Sequence, residues 1–269
     1  MDLQLAGQTA VVVGGARGIG RAIAEAFAAE GANVALTDRD AAVTEAAAEI
    51  ANRFQVRALG LTADATRYEA MQGAAKEVTG AFGRVDHVVF AVGIGSGKFG
   101  FPFWNLEPAD WPRVLEVNVI TAVNTAHAFA PALIEARGGS MLFISSVAGQ
   151  IGSQTDPPYS ASKAALINFA QCAAKDLAPH NVRVNTLCPG MVKTVLNRAV
   201  WEAWHRQQPE DQRQSYDEWA DDKIRRLVPL GRWQEPEDMA AMVVFLASGR
   251  GQNITGQTLN VDGGFVMHW

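Results

Sequence analysis

The chain has 269 residues, 48% of them hydrophobic and 19% charged, which suits one large α/β core and excludes a disordered chain. Its net charge of −5, with no basic block, argues against a nucleic-acid partner or an anionic membrane surface. Two cysteines, a first segment without the pattern of a secretory signal, and the lack of any run of roughly 18 apolar residues lead to the expectation of a cytoplasmic protein with Cys172 and Cys188 reduced in its core.

Strand-like and helix-like segments alternate along the chain. Thr9–Val13 is a β-branched run, and Ile19–Glu30 repeats apolar residues at helical spacing. Asn33–Thr37 reads as a strand, and Ala41–Arg53 as an alanine-rich helix with Asp40 as its N-cap. Val56–Leu61 and His87–Val92 are the next strands, followed by a long helix over Trp111–Ile134. Ser140–Ser145 is a strand, Pro158–Leu177 a long helix, and Arg183–Leu187 and Thr258–Val261 are late strands. This alternation predicts a doubly wound parallel sheet with helices on both faces, in a single domain over residues 1–269. Two segments break the rhythm: Gly93–Pro108, rich in glycine and aromatics, and the polar stretch Val195–Leu230 with Trp201, Trp204 and Trp219. Loops at the carboxyl ends of parallel strands shape the ligand site, so these two are the candidate substrate walls.

The first strand runs into Gly14-Gly15-Ala16-Arg17-Gly18-Ile19-Gly20 and then a helix. Glycines there let backbone N–H groups approach a pyrophosphate, and the helix N-terminus adds partial positive charge. The second strand ends at Asp38, whose carboxylate can accept both ribose hydroxyls of an adenosine and would repel a 2′-phosphate, which favours NAD over NADP. Arg17 and Arg39 are basic and close by, so a phosphate-binding role for them stays open.

Tyr159 and Lys163 lie four residues apart at the start of a helix and so share one face. A free phenol titrates near pH 10, and an adjacent ammonium favours its anion, as general acid–base work requires. Alone, such a pair is also what an ordinary solvated helix face contains. The five histidines (His87, His127, His180, His205 and His268) show no ligand spacing.

Taken together, these features resemble the short-chain dehydrogenase/reductase family over essentially the whole chain. The glycine turn from Val13 to Gly20 resembles that family's nucleotide turn, and Asp64 its adenine-binding aspartate, followed by Ala65. Asn118, Ser146, Tyr159 and Lys163 match its catalytic tetrad. Pro189-Gly190-Met191-Val192-Lys193-Thr194 resembles its nicotinamide-side motif, and Asp262-Gly263-Gly264 its C-terminal signature. The resemblance implies an NAD-dependent oxidoreductase interconverting a secondary alcohol and a ketone. Tyr159 would exchange the alcohol proton, Lys163 would hold the nicotinamide ribose, and Ser146 would bond the substrate oxygen. Asn118 would hold a water linking Lys163 to solvent. Ala91 and Gly93 would line the nucleotide with main chain, while Thr194 and the Val192 backbone would grip the carboxamide. A homotetramer is implied as well.

Two departures stand out. Val13 replaces a threonine, and Phe90-Ala91-Val92-Gly93 stands where the family has Asn-Asn-Ala-Gly, which implies a repacked apolar floor. The loop Gly95–Trp104 is either an aromatic pocket wall or a segment packed on the core or a neighbouring subunit. The stretch 195–230 occupies the place of the substrate lid, with six basic and seven acidic residues, which offers no basic surface to an acidic carrier protein. Its tryptophans either stack on a sugar-like substrate or bury themselves for stability. The tail Gly264–Trp269 is apolar and is expected to pack on a neighbour. The competing expectations are an NADPH-dependent ketone or 3-oxoacyl reductase, disfavoured by Asp38, and a dinucleotide-binding regulator without turnover, disfavoured by the tetrad.

Overall fold

The computed structural model describes residues 2–98, 102–152 and 156–267; of the residues singled out above, Phe99, Gly100, Phe101, His268 and Trp269 lie outside it. Seven parallel strands form one sheet in the order β3-β2-β1-β4-β5-β6-β7. They are β1 (Thr9–Val13), β2 (Asn33–Asp38), β3 (Ala58–Thr62), β4 (His87–Phe90), β5 (Ser140–Ile144), β6 (Arg183–Pro189) and β7 (Thr258–Val261). Strands β1, β4 and β5 are buried along their whole length. Both faces of a parallel sheet are covered by helices, which is why these strands read as continuous apolar runs.

One face is covered by α1 (Gly18–Ala29), α2 (Ala42–Phe54) and a late helix over Pro236–Ala247, whose Ile23, Phe27, Ile50 and Val243 meet in one core. The other is covered by α3 (Tyr68–Phe82), a long broken helix over Trp111–Ala136, and a helix over Pro157–Leu177, contributing Met71, Phe129, Leu133 and Leu166. The order reverses between β1 and β4, and the crevice at the carboxyl ends of these strands is where such sheets bind ligands.

The long helix is not regular. It consists of α4 (Trp111–Leu115), a π-turn over Glu116–Ile120, and α5 (Thr121–Ala136). The expectation that no segment is long and apolar enough to cross a membrane is corrected here: Pro108–Ala136 is, by length and composition. Its apolar residues Val117, Ala122, Phe129 and Leu133 are buried in the protein core.

The catalytic-side helix is α6 (Pro157–Leu177), and the lid contains α7 (Val195–His205) and α8 (Tyr216–Leu227), with α9 (Pro236–Ala247) beyond it. Helices α3, α7, α8 and α9 were not assigned from the sequence. Three smaller expectations are also corrected. Ala41, without a side-chain bond, caps α2, while Asp40 accepts from the Ala42 N–H at 3.1 Å one position earlier. Strand β4 ends at Phe90, two residues short of Val92. Cys188 is buried, but Cys172 is exposed, because it sits on the outer face of α6.

Candidate active site

The nucleotide end is built from glycines that cannot be replaced without collision or strain. Gly14 has φ +88°, and a Cβ there would sit 3.0 Å from the Ala91 carbonyl carbon. A Cβ on Gly20 would lie 2.1 Å from the Gly14 oxygen, so the start of α1 can approach the turn only as glycine. At Gly18, with φ +58°, an added Cβ would meet nothing within 4 Å: this side of the turn faces open space. The N-terminus of α1 has no side-chain cap at Arg17 and no acidic residue in its first turn. The Gly18, Ile19 and Gly20 end of the helix is therefore offered to an anion from outside. A dinucleotide fits this cradle.

Asp38 closes the other side. Its Oδ2 accepts from the Ala16 N–H at 3.2 Å and its Oδ1 from the Asp40 N–H at 3.1 Å, which fixes the carboxylate at the tip of β2. Arg17 is exposed and lies 3.8 Å from Asp40; Arg39 is exposed. Asp64, after β3, accepts from the N–H and hydroxyl of Thr66, which hold its carboxyl below the usual range. Asn124 on α5 binds the Ala65 and Thr66 carbonyls at 3.0 and 3.1 Å and anchors that turn.

The floor between the two ends is apolar. Phe90 is buried with its ring 6.2 Å from Phe143, which in turn meets Phe169 at 5.7 Å. The main chain there extends the pairing of β4 with β1, with Ala91 N–H donating to the Val13 carbonyl at 2.8 Å. Beyond it, a Cβ on Gly93 would stand 3.0 Å from Lys163 Nζ. Val13 is itself buried in the core beneath the turn.

The four tetrad residues come together at the ends of β4, β5 and β6. Lys163 is buried, and its Nζ donates to the Ile144 carbonyl at 3.0 Å and reaches Val92 O at 3.4 Å. The same ammonium stands 5.6 Å from the centre of the Tyr159 ring. Ser146 hydrogen-bonds the Tyr159 phenol, and its Oγ also accepts from the Ala148 N–H at 3.1 Å. Asn118, in the π-turn, is fully buried. Its Oδ1 accepts from Ile94 N–H at 2.8 Å, and its Nδ2 donates to Ile94 O at 2.9 Å and Ser162 Oγ at 2.8 Å. π-turns recur at functional sites because they redirect one side chain out of the helical register.

One electrostatic expectation is corrected. Burial pushes the Tyr159 phenol up to about 12, with the Ser146 hydrogen bond opposing the rise, and burial pushes Lys163 down to about 8. Removing water disfavours the charged form of each group, the phenolate and the ammonium alike. Tyr159 keeps part of its surface on the cleft, so the proton it holds is accessible from there.

On the nicotinamide side, a Cβ on Gly190 would lie 2.8 Å from both Asp262 Cβ and Gln234 Oε1, which explains glycine after Pro189. Val192 bridges Gln234, and Thr194 Oγ1 caps α7 by accepting from Asn197 N–H at 3.3 Å. Asp262 receives the N–H groups of Gly264 at 2.9 Å and Val266 at 2.7 Å, holding the tail against the site.

A family model described as enoyl-(acyl carrier protein) reductase matches residues 14–266, almost the whole chain. The chain belongs to the short-chain dehydrogenase/reductase family. It is 34% identical over 98% of its length to the 3-oxoacyl-(acyl-carrier-protein) reductase FabG of Aquifex aeolicus, 99% of which is covered. Its structure matches the L-sorbose reductase of Gluconobacter frateurii, solved with NADPH and L-sorbose, with a TM-score of 0.90, 29% identity and full coverage of both chains. An NAD+-bound xylitol dehydrogenase matches with a TM-score of 0.89 and 29% identity, over 97% of this chain and all of that one. This short-chain dehydrogenase/reductase is accordingly an oxidoreductase with a Rossmann-type nucleotide fold.

Within this member of the family, the aromatics of the lid and of the loop after β4 are placed differently. Trp219 is buried, and Trp201 and Trp204 half-buried. They form a ring cluster with His205, Tyr216 and Trp233 at centroid distances of 4.9 to 6.3 Å. The lid tryptophans pack on the lid itself. Phe103 and Trp104 do the reverse: each is 69% exposed, and they meet edge-to-face at 5.2 Å. The sequence reading missed Asp156, which caps α6 three residues before Tyr159; an aspartate directly before Pro-Pro and a helical run is the signal that could have found it.

Proposed function

We propose that this chain is an NAD-dependent dehydrogenase interconverting a secondary alcohol and a ketone on a small polyol- or sugar-like substrate. The observation that carries the reading is the convergence of Ser146, Tyr159 and Lys163 on one side of the cleft, held by Asn118 and Gly93. In ketone reduction Tyr159 gives its proton to the carbonyl oxygen, and Ser146, whose own proton is not used by the Ala148 contact, donates a hydrogen bond to that oxygen. In oxidation the phenol oxygen takes the carbinol proton back. Lys163, lowered to about 8 by burial, stands with its ammonium 5.6 Å from the Tyr159 ring, where its positive charge favours the phenolate. A nicotinamide held in this cleft would supply the hydride acceptor for the carbinol carbon, or the hydride donor in the reverse direction.

The glycine turn and the α1 N-terminus would hold the pyrophosphate, Asp38 the adenosine ribose, Asp64 and Ala65 the adenine, and Thr194 with the Val192 backbone the carboxamide. NAD is supported by the fixed Asp38 carboxylate. The sugar and polyol named for the two structural neighbours support the substrate class. Assembly as a homotetramer is part of the same reading.

Fluorescence titration with NADH and NADPH, then an absorbance screen of sugars, polyols and hydroxy acids with the preferred nucleotide, tests it. Tight NADH binding with polyol turnover is expected. NADPH preference would mean that the exposed Arg17 and Arg39 outweigh Asp38, and would bring forward 3-oxoacyl reduction.

A further inference from the structure

Asp156 is a buried carboxylate that the chemistry above does not use. Its Oδ2 accepts from the Ser96 N–H at 2.7 Å, and its Oδ1 from the Tyr159 N–H at 3.4 Å. Two residues before Ser96, Ile94 is held on both its N–H and its carbonyl by Asn118, and Asn118 in turn binds Ser162 on α6. The loop after β4 is thus pinned to α6 at two points, by Asp156 at the first turn and by Asn118 one turn later.

We propose that Asp156 is a positioning residue of the reaction: it fixes the loop after β4 to the helix that carries Tyr159, and its negative charge biases the phenol toward its protonated, proton-giving form. A carboxylate at a helix N-terminus is stabilised as the anion by the Ser96 and Tyr159 N–H groups and the helix dipole. A fixed anion one turn from a phenol opposes formation of the phenolate. The other groups acting on Tyr159 are the Lys163 ammonium on α6, the Ser146 hydroxyl after β5 and the Cys188 thiol at the end of β6. Burial raises the Asp156 pKa against the lowering by the Ser96 and Tyr159 N–H groups, and the charge of Asp110, ion-paired to Lys98, adds a little to the rise. None of these replaces the role of Asp156, because among them only Asp156 accepts from the Tyr159 N–H.

The inference rests on Tyr159 as the acid–base of the proposed reaction, and the test separates the two. Asp156→Asn keeps an oxygen acceptor for the loop and removes the charge. The pH at which kcat/KM for alcohol oxidation reaches half its plateau is expected to move down by about half to one unit. Asp156→Ser, an uncharged residue that still caps helices, is expected to move it in the same direction. Profiles that superimpose on the wild type in both variants, or that move upward, overturn the proposal. Tyr159→Phe is measured alongside: turnover surviving in that variant overturns the assignment of Tyr159, and an inactive Tyr159→Phe with unmoved Asp156 profiles overturns only the role of Asp156.

Discussion

The side-chain amide of Asn118 lies 2.8 Å from the Ser162 hydroxyl, and Ser162 Oγ in turn donates to the Tyr159 carbonyl at 2.7 Å. A residue in a π-turn thereby steadies the backbone of the reacting tyrosine without touching its phenol. Its side chain also bonds both the N–H and the carbonyl of Ile94 directly. Asn118→Ala leaves these buried groups without partners, at about 1–3 kcal/mol for each group that water cannot reach. Thermal unfolding should fall by several degrees, and kcat should drop with it, whereas a variant that only lost a catalytic water would keep its wild-type Tm.

Two glycines should respond differently to the same added methyl. At Gly93 the Cβ would press on the tip of Lys163, 3.0 Å away, which is a movable group. Gly93→Ala is expected to fold normally and to lose roughly 10- to 100-fold in kcat through displacement of the lysine. At Gly20 the obstruction is the Gly14 backbone oxygen at 2.1 Å. Gly20→Ala must distort the turn, and NADH titration should show binding lost.

Asp38→Asn removes the charge that faces a 2′-phosphate while keeping an acceptor for the Ala16 N–H. The ratio of NADPH to NADH affinity should rise at least about tenfold, equivalent to 1.4 kcal/mol. An unchanged ratio in fluorescence titration would remove Asp38 as the determinant.

His87 is buried between Gln8 and Ser140 at 2.5 and 2.9 Å, with Phe27 stacked on its ring at 5.5 Å, and burial lowers it from 6.5 to about 4. Between these two values the unfolded chain binds the proton that the folded one refuses. Stability is therefore complete above pH 6.5 and declines as pH falls toward 4, by up to about 3 kcal/mol. Denaturant titrations at pH 7 and 4.5 should show this loss in the wild type and a smaller one in His87→Gln.

The strands were legible because a parallel sheet covered on both faces makes apolar, β-branched runs such as Thr9–Val13 and Ser140–Ile144. Helix α3 was not, since Tyr68–Phe82 buries only Met71, Ala74 and Val78 and shows a thin apolar stripe. The lid helices hid behind their charge, although Thr194 and the Ser215–Glu218 capping box marked both starts. The Glu235-Pro236 start of α9 carried a similar mark. At the site, residue identities were readable and their environment was not. Nothing in Tyr-x-x-x-Lys spacing tells how much water is withdrawn from the two groups, and it is that withdrawal which sets Tyr159 near 12 and Lys163 near 8. The π-turn has no sequence signature, and it carries the Asn118 side chain that bonds Ile94 and Ser162 together.

The ring cluster of the lid gives this protein an optical handle. Of its seven tryptophans, Trp201, Trp204, Trp219 and Trp233 lie in or beside the lid, joined ring to ring through Tyr216 and one another. Light absorbed by one of them passes to its neighbours before it is emitted, so the group glows as a single lamp. Any shift of α7 against α8 rewets several of its rings at once and changes the colour of the whole emission. A displacement of α7 against α8, should one accompany ligand binding, would thus be readable in the unlabelled protein.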